Sequence, residues 1–346
     1  FTIQNGKGSK GGGVCILHSN SIIRNNTITD NTAIYGGGGI YIFNGDPYIE
    51  NNIISNNAAT YINAFPGGSD LEGYGGGICT NFCGSPIIKN NTIIGNTAKR
   101  GGGLYVITGF SIMTIKENII KENEANYGGG IVLSSSKVTI TGNTIVGNKN
   151  TGEKVYKYCG NASAIYMYDF SMPTIEDNII NENIAESGYG SVIYLNDYCH
   201  ATIKNNTITE NTAGDIGVIH IHLSDPEIYG NTISKNETTG SGGGIEVAYY
   251  SKPSITNNTI TGNNAQNGGG ISVGYPSKGT ISDNIITGNI ASNNGGGIRI
   301  IDSGPSVKNN TIKNNVAGYQ GGGIYLDGIY WHQDSIYPVI TSNTIA

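Results

Sequence analysis

His220, His222, Glu246 and Arg299 are the residues of this chain best suited to chemistry. An imidazole, a carboxylate and a guanidinium on one surface can move a proton or hold an acidic group. They recur at one position, or its neighbour two residues on, of a repeat whose usual period is 25–28 residues, so a repeating fold would line them up. Cleavage by acid–base or metal-assisted chemistry needs convergent carboxylates as well. The aspartates nearest that position, Asp46, Asp169, Asp197, Asp225, Asp302 and Asp327, fall mostly at turns, where side-chain capping accounts for them. The four residues therefore stand as weak catalytic candidates, and the chain leans towards a non-enzyme. Neither a cofactor nor a metal is expected, because the paired Cys/His spacing of a zinc site is missing.

In earlier repeats the same position carries Tyr41, Tyr105, Tyr166 and Tyr194, and the position two residues on carries Phe43 and Tyr168. Tyrosine suits strands and stacks along a ladder. A contiguous aromatic surface also marks contact with another subunit or with sugar rings. Both readings stay open. Three insertions interrupt the period, at 58–74, 149–161 and 328–338. The last carries Tyr330 and Trp331 and is the best docking loop, since Trp and Tyr dominate interface energetics.

Cys79 and Cys83 share one repeat, and Cys159 and Cys199 lie in adjacent ones. Either pair could bridge in an oxidising compartment, leaving Cys15 over. Buried or free thiols are the equal alternative. Asn-x-Ser/Thr sequons occur at Asn25, Asn90, Asn161, Asn205, Asn236, Asn257 and Asn309, mostly as by-products of the repeat. Those at Asn25, Asn90, Asn205, Asn257 and Asn309 fall on a variable turn position facing solvent, which makes them glycosylation candidates.

The element that must position all of these is the repeat itself. Asn-Thr/Ile-Ile-x-x-Asn begins at Asn26, Asn52, Asn91, Asn118, Asn143, Asn178, Asn206, Asn231, Asn258, Asn284 and Asn310, with a partial copy at Asn343. Apolar residues alternate with polar ones over three to five positions, the period of a strand. Each repeat reads as about three short strands joined by bends. The residue before the first Asn varies among Asn, Asp, Gly, Glu and Ser, which suggests a left-handed turn residue facing water. The fixed Asn points inward and bonds the Asn of the next coil, as does a second column from Asn31 to Asn315. Glycine triplets such as Gly242-Gly243-Gly244 precede the last strand. They mark close backbone approach rather than a phosphate loop, since no Gly-Lys-Ser/Thr follows.

A net charge of −6 and only 13% charged residues exclude the basic stripe that nucleic acid requires. No apolar run reaches the length of a membrane span. Phe1 and Asn343 both sit inside the repeat register, which suggests a piece of a longer polypeptide. The repeat resembles the parallel β-helix repeats of pectate-lyase-like and NosD-like extracellular and cell-surface proteins, over essentially the whole chain. That resemblance implies an all-β, right-handed solenoid of about twelve coils with Asn ladders, a single domain over 1–346. Twelve steps at roughly 4.8 Å would span about 60 Å. It implies little about activity, because the fold hosts lyases, hydrolases, adhesins and structural proteins. The clustered Asp ligands and basic residue of the lyases are not matched. The expectation is an extracellular or cell-surface structural or interaction protein, such as a layer, sheath or filament subunit, contacting itself or another surface protein. The alternative is a polysaccharide-binding adhesin, and behind it a polysaccharide lyase or hydrolase.

Overall fold

The computed structural model describes residues 1–60, 73–109, 112–152, 161–186, 188–328 and 337–346. Two compact units divide the chain, one of Phe1–Val155 and Asn161–Ile179, the other containing Ile180–Ala346. Each is a right-handed parallel β-solenoid, with no helix among the described residues. Together they hold about 12 coils.

A coil of the second unit shows how the sequence builds them. Its strands are Ser254–Thr256, Thr259–Thr261, Asn264–Ala265 and Ile271–Val273. Ile255, Ile260, Ala265, Ile271 and Val273 are buried. Each pairs in parallel with its counterpart one coil on, as in Ile255↔Ile281, Ile260↔Ile286, Ala265↔Ala291 and Ile271↔Ile298. Ile therefore stacks on Ile and Ala on Ala, so the core is a set of like columns. Among the described residues the strands fall at four positions around the coil. The coil thus has four strands, not the three expected. The extra one is often two residues long, too short to show alternation.

Two asparagine ladders hold the bends. In the first unit Asn26, Asn52, Asn91, Asn118, Asn143 and Asn178 form one chain, each Nδ2 donating to the next Oδ1 at 3.0–3.2 Å. In the second unit Asn206, Asn231, Asn258, Asn284, Asn310 and Asn343 do the same at 2.9–3.1 Å. The second column, such as Asn183, Asn211, Asn236, Asn263, Asn289 and Asn315, repeats it at 3.0 Å. Each Oδ1 also takes a backbone N–H from the preceding ladder Asn, for example Asn231 N to Asn258 Oδ1 at 3.0 Å. A bend that would leave buried main-chain groups unpaired is satisfied by one side chain per coil. The variable residue before the first Asn has positive φ on every coil from Asn25 to Ser342, as expected. A second left-handed column precedes the second Asn and includes Glu122, Glu182, Glu210 and Lys235, which no turn propensity would flag.

A third ladder was not anticipated. At the corner after the last strand, Ser224 N–H donates to Ser251 Oγ and Ser277 N–H to Ser303 Oγ, at 3.2 and 3.1 Å. Cys199 joins this ladder, its N–H donating to Ser224 Oγ at 3.0 Å. Cys83 takes the same slot in the first unit, its Sγ facing the carbonyls of Ile42 and Asn81 at 3.7 and 3.6 Å. Ser136 does likewise towards Val106 and Ser134. The Cys79–Cys83 bridge weighed from the sequence is not formed: both are buried thiols, Cys83 turned into the corner. Burial pushes the pKa of both above the ordinary thiol value. Cys159, the partner weighed for Cys199, lies outside the described residues.

Candidate functional site

The side chains singled out for chemistry stand on the last strand of successive coils of the second unit. Tyr194 pairs with His220, His220 with Glu246, Glu246 with Ser272, Ser272 with Arg299 and Arg299 with Tyr325. The alternating inward residues, Ile219, Ile221, Ile245, Val247, Ile298 and Ile300, fix the orientation by burying themselves. The glycine before each strand shapes the foot of this column. A Cβ on Gly242 would lie 2.8 Å from Glu246 Cβ, and one on Gly295 2.7 Å from Arg299 Cβ. The chain entering the strand therefore runs close over the outward side chains.

That approach corrects the expected exposure. Tyr41 is 3% exposed, Tyr105 4% and Tyr194 3%; Tyr166 is also buried, and only Phe43 and Tyr168 are half-buried. They point away from the core yet are covered from the side. Lys10 lies 5.2 Å over the Tyr41 ring, and Tyr74 packs on Tyr105 at 4.5 Å. The Tyr105 and Tyr168 hydroxyls meet at 2.8 Å, and burial together with Tyr168 raises the pKa of Tyr105. Arg100 sits 4.8 Å over Tyr127 and 5.9 Å over Tyr168, a cation–π arrangement. Tyr330 and Trp331 lie outside the described residues.

In the second unit the structure brings His220 and Glu246 together, with Nδ1 2.8 Å from Oε2. The same Oε2 accepts the Gly217 N–H at 2.8 Å. A carboxylate here can only accept, so His220 Nδ1 carries a proton towards it. Tyr194 stacks on His220 with centroids 4.9 Å apart and planes 1° apart. The ring series continues through His222, then Tyr249 at 4.5 Å, then Tyr275 at 5.1 Å and 5°. Arg299 stands two coils from Glu246 and donates from Nη1 to Ser272 Oγ at 3.4 Å. Burial lowers its pKa, opposed by attraction to Glu246 and to nearby Tyr and Asp groups. The arrangement is a carboxylate-oriented imidazole on a ladder of rings, with a guanidinium two coils beyond the carboxylate. Among the described residues, no group of three or more His, Cys, Asp or Glu side chains is placed to hold a metal.

His222 is 9% exposed, and its Nδ1 has no hydrogen-bond partner. Asn196 stands at the equivalent position one coil earlier, 8% exposed, its Oδ1 equally unpartnered while Nδ2 donates to Asp197 at 2.7 Å. Two buried polar atoms on one face are thus available to a small polar group. Desolvation, then the neighbouring His220, pull the pKa of His222 from 6.5 to about 4. The unfolded chain therefore binds this proton more readily than the folded one. The corresponding stability is whole above pH 6.5 and is lost as pH falls towards about 4. Melting temperature should fall less steeply over that window in His222→Phe than in the parent; parallel curves would refute the coupling.

Sequence columns located His220, Glu246 and Arg299, but not Tyr249 and Tyr275, which lie at the turn beyond the strand. A signal existed. At that turn Phe82, Phe170, Tyr198, Tyr250 and Tyr275 are exposed and all have positive φ. On other coils the turn is made with Asn44, Gly109 or Asp302, which tolerate that backbone more readily. No curated protein matches the sequence. The repeat, the parallel coils and the ladders agree with one family pattern, described as the right-handed beta helix region, which matches residues 1–164 and 163–345; the chain belongs to the right-handed β-helix family.

Proposed function

We propose that this chain is an extracellular or cell-surface structural and interaction protein whose contact surface is the edge following the last strand of each coil. The observation that carries the reading is the set of exposed left-handed aromatics, Phe82, Phe170, Tyr198, Tyr250 and Tyr275. A bulky residue at that backbone conformation costs about 1–2 kcal/mol. The fold has cheaper residues for the same turn and uses them on other coils. Although Phe82 and Tyr275 also touch Phe43 and Tyr249, more than half of each of the five rings stays open to a partner. Another copy of the chain or another surface protein is the partner favoured.

The test is the state of the native material and its response to mutation. Electron microscopy and sedimentation should show ordered assemblies. Changing Tyr198, Tyr250 and Tyr275 together to Asn should disperse them without lowering the melting temperature. Dispersed monomers from the native source would end the assembly reading.

A second reading, polysaccharide binding, is favoured by the parallel rings of Tyr249 and Tyr275 beside the unpartnered His222 Nδ1 and Asn196 Oδ1. Sugar faces stack on rings and sugar hydroxyls can serve both atoms. A glycan array with no binding would count against it.

A further inference from the structure

We infer that Asn25, Asn90, Asn205, Asn257 and Asn309 are N-glycosylated, with no two of these sites on adjacent coils. The inference rests on the export reading above, because the modifying machinery acts on exported chains.

Seven sequons occur in the sequence, and the structure sorts them. Asn161 and Asn236 are buried, and Asn236 is tied into the second ladder through Oδ1 and Nδ2. Neither amide can be reached. The other five have φ between 54° and 57° and exposed side chains. In each, the middle residue is the inward ladder Asn. The third residue, Thr27, Thr92, Thr207, Thr259 or Thr311, opens the next strand unburied. The bend thus presents amide and hydroxyl on one outer corner.

Their distribution differs from what repetition alone would give. Between Asn25 and Asn90 stands Asn51, also left-handed, but its third residue is Ile53, so the sequon is broken there. Between Asn205, Asn257 and Asn309 the intervening coils carry Gly230 and Asp283. Neighbouring coils lie about 4.8 Å apart, too close for two sugars, whereas alternate coils leave about 10 Å. Gly230 fits the same account. A Cβ there would lie 2.6 Å from Asn205 Oδ1, so the Asn205 side chain leans over a coil that offers no side chain to oppose it.

The reaction needs a lipid-phosphate-linked saccharide donor and its transferase. A bond forms between Asn Nδ2 and the anomeric carbon. The bond from that carbon to the phosphate oxygen breaks, the lipid phosphate leaves with the electron pair, and an amide proton passes to a base of the transferase.

Glycopeptide mass spectrometry of the protein purified from its native source, with cell fractionation of the same culture, tests this. Saccharide mass is expected at the five exposed asparagines and none at Asn161 or Asn236, and Asn205→Gln should remove one increment. Exported protein bare at all five sites overturns the proposal while sparing the export reading. Bare protein retained inside the cell overturns both. Occupancy at Asn236 would overturn the structural sorting.

Discussion

Replacing Asn258 with leucine should cost the second unit about 3–5 kcal/mol, while Asn257→Gly, one residue away, should stay within about 0.5 kcal/mol. The Asn258 side chain accepts the Asn231 N–H and Nδ2 at 3.0 and 2.9 Å. It donates to the carbonyls of Ile228 and Thr256 and to Asn284 Oδ1 at 2.8, 3.0 and 3.1 Å. Leucine fills the volume but returns none of these bonds. The Asn231 N–H is then buried without an acceptor, at about 1–3 kcal/mol, and the remaining partners are weakened. Asn257 is exposed with φ 54°, a conformation glycine adopts freely. Urea unfolding of the two variants measures the contrast. Equal losses would show that the ladder contributes no more than the turn beside it.

The second large effect lies in the glycine triplets. Gly243→Ala places a Cβ 2.3 Å from the Gly269 carbonyl oxygen, a backbone atom held by the next coil. Gly269→Ala does the same at 2.6 Å to both Gly296 O and Ile290 O. Neither neighbour is a flexible side chain, so relief requires separating coils. A loss above about 4 kcal/mol, or no soluble protein, is expected for each. Gly262→Ala is the matched control, with φ 64° and no atom within 4 Å. It should cost only the left-handed penalty of about 1–2 kcal/mol. Thermal melts showing Gly243→Ala no worse than Gly262→Ala would mean that the triplet serves chain flexibility instead of clearance.

Much of this fold was legible because it is written once per coil. The inward Asn, its left-handed partner and the Ile columns each recur at the same place, and recurrence separates them from chance. The fourth strand was not legible, since a two-residue strand such as Asn264–Ala265 has no alternation to read. Nor were Glu210 and Lys235 as left-handed residues, because the ladder on either side imposes a conformation their own propensity opposes. In the sequence Cys83 and Cys199 each belong to a pair that could bridge or stay as thiols. Aligned with Ser136, Ser224 and Ser251, they are substitutes in a hydroxyl ladder. For the site, the His220–Glu246 contact follows from one column and one period. The cover over Tyr41 and Tyr105 does not, because it depends on how closely the incoming chain passes.

The ladder contacts have a further consequence in how they treat chain length. Asn52 and Asn91 are 39 residues apart, and Asn118 and Asn143 only 25, yet both pairs meet through the same bonds at 3.0 Å. Asn143 and Asn178, separated by 35 residues, also meet at 3.0 Å. Position along the solenoid is thus counted in amides, not in residues. Any excursion that leaves after one ladder Asn and returns before the next is invisible to the lattice. Such a molecule accepts grafted segments at addressable ports, and can change what it displays without renegotiating how it folds.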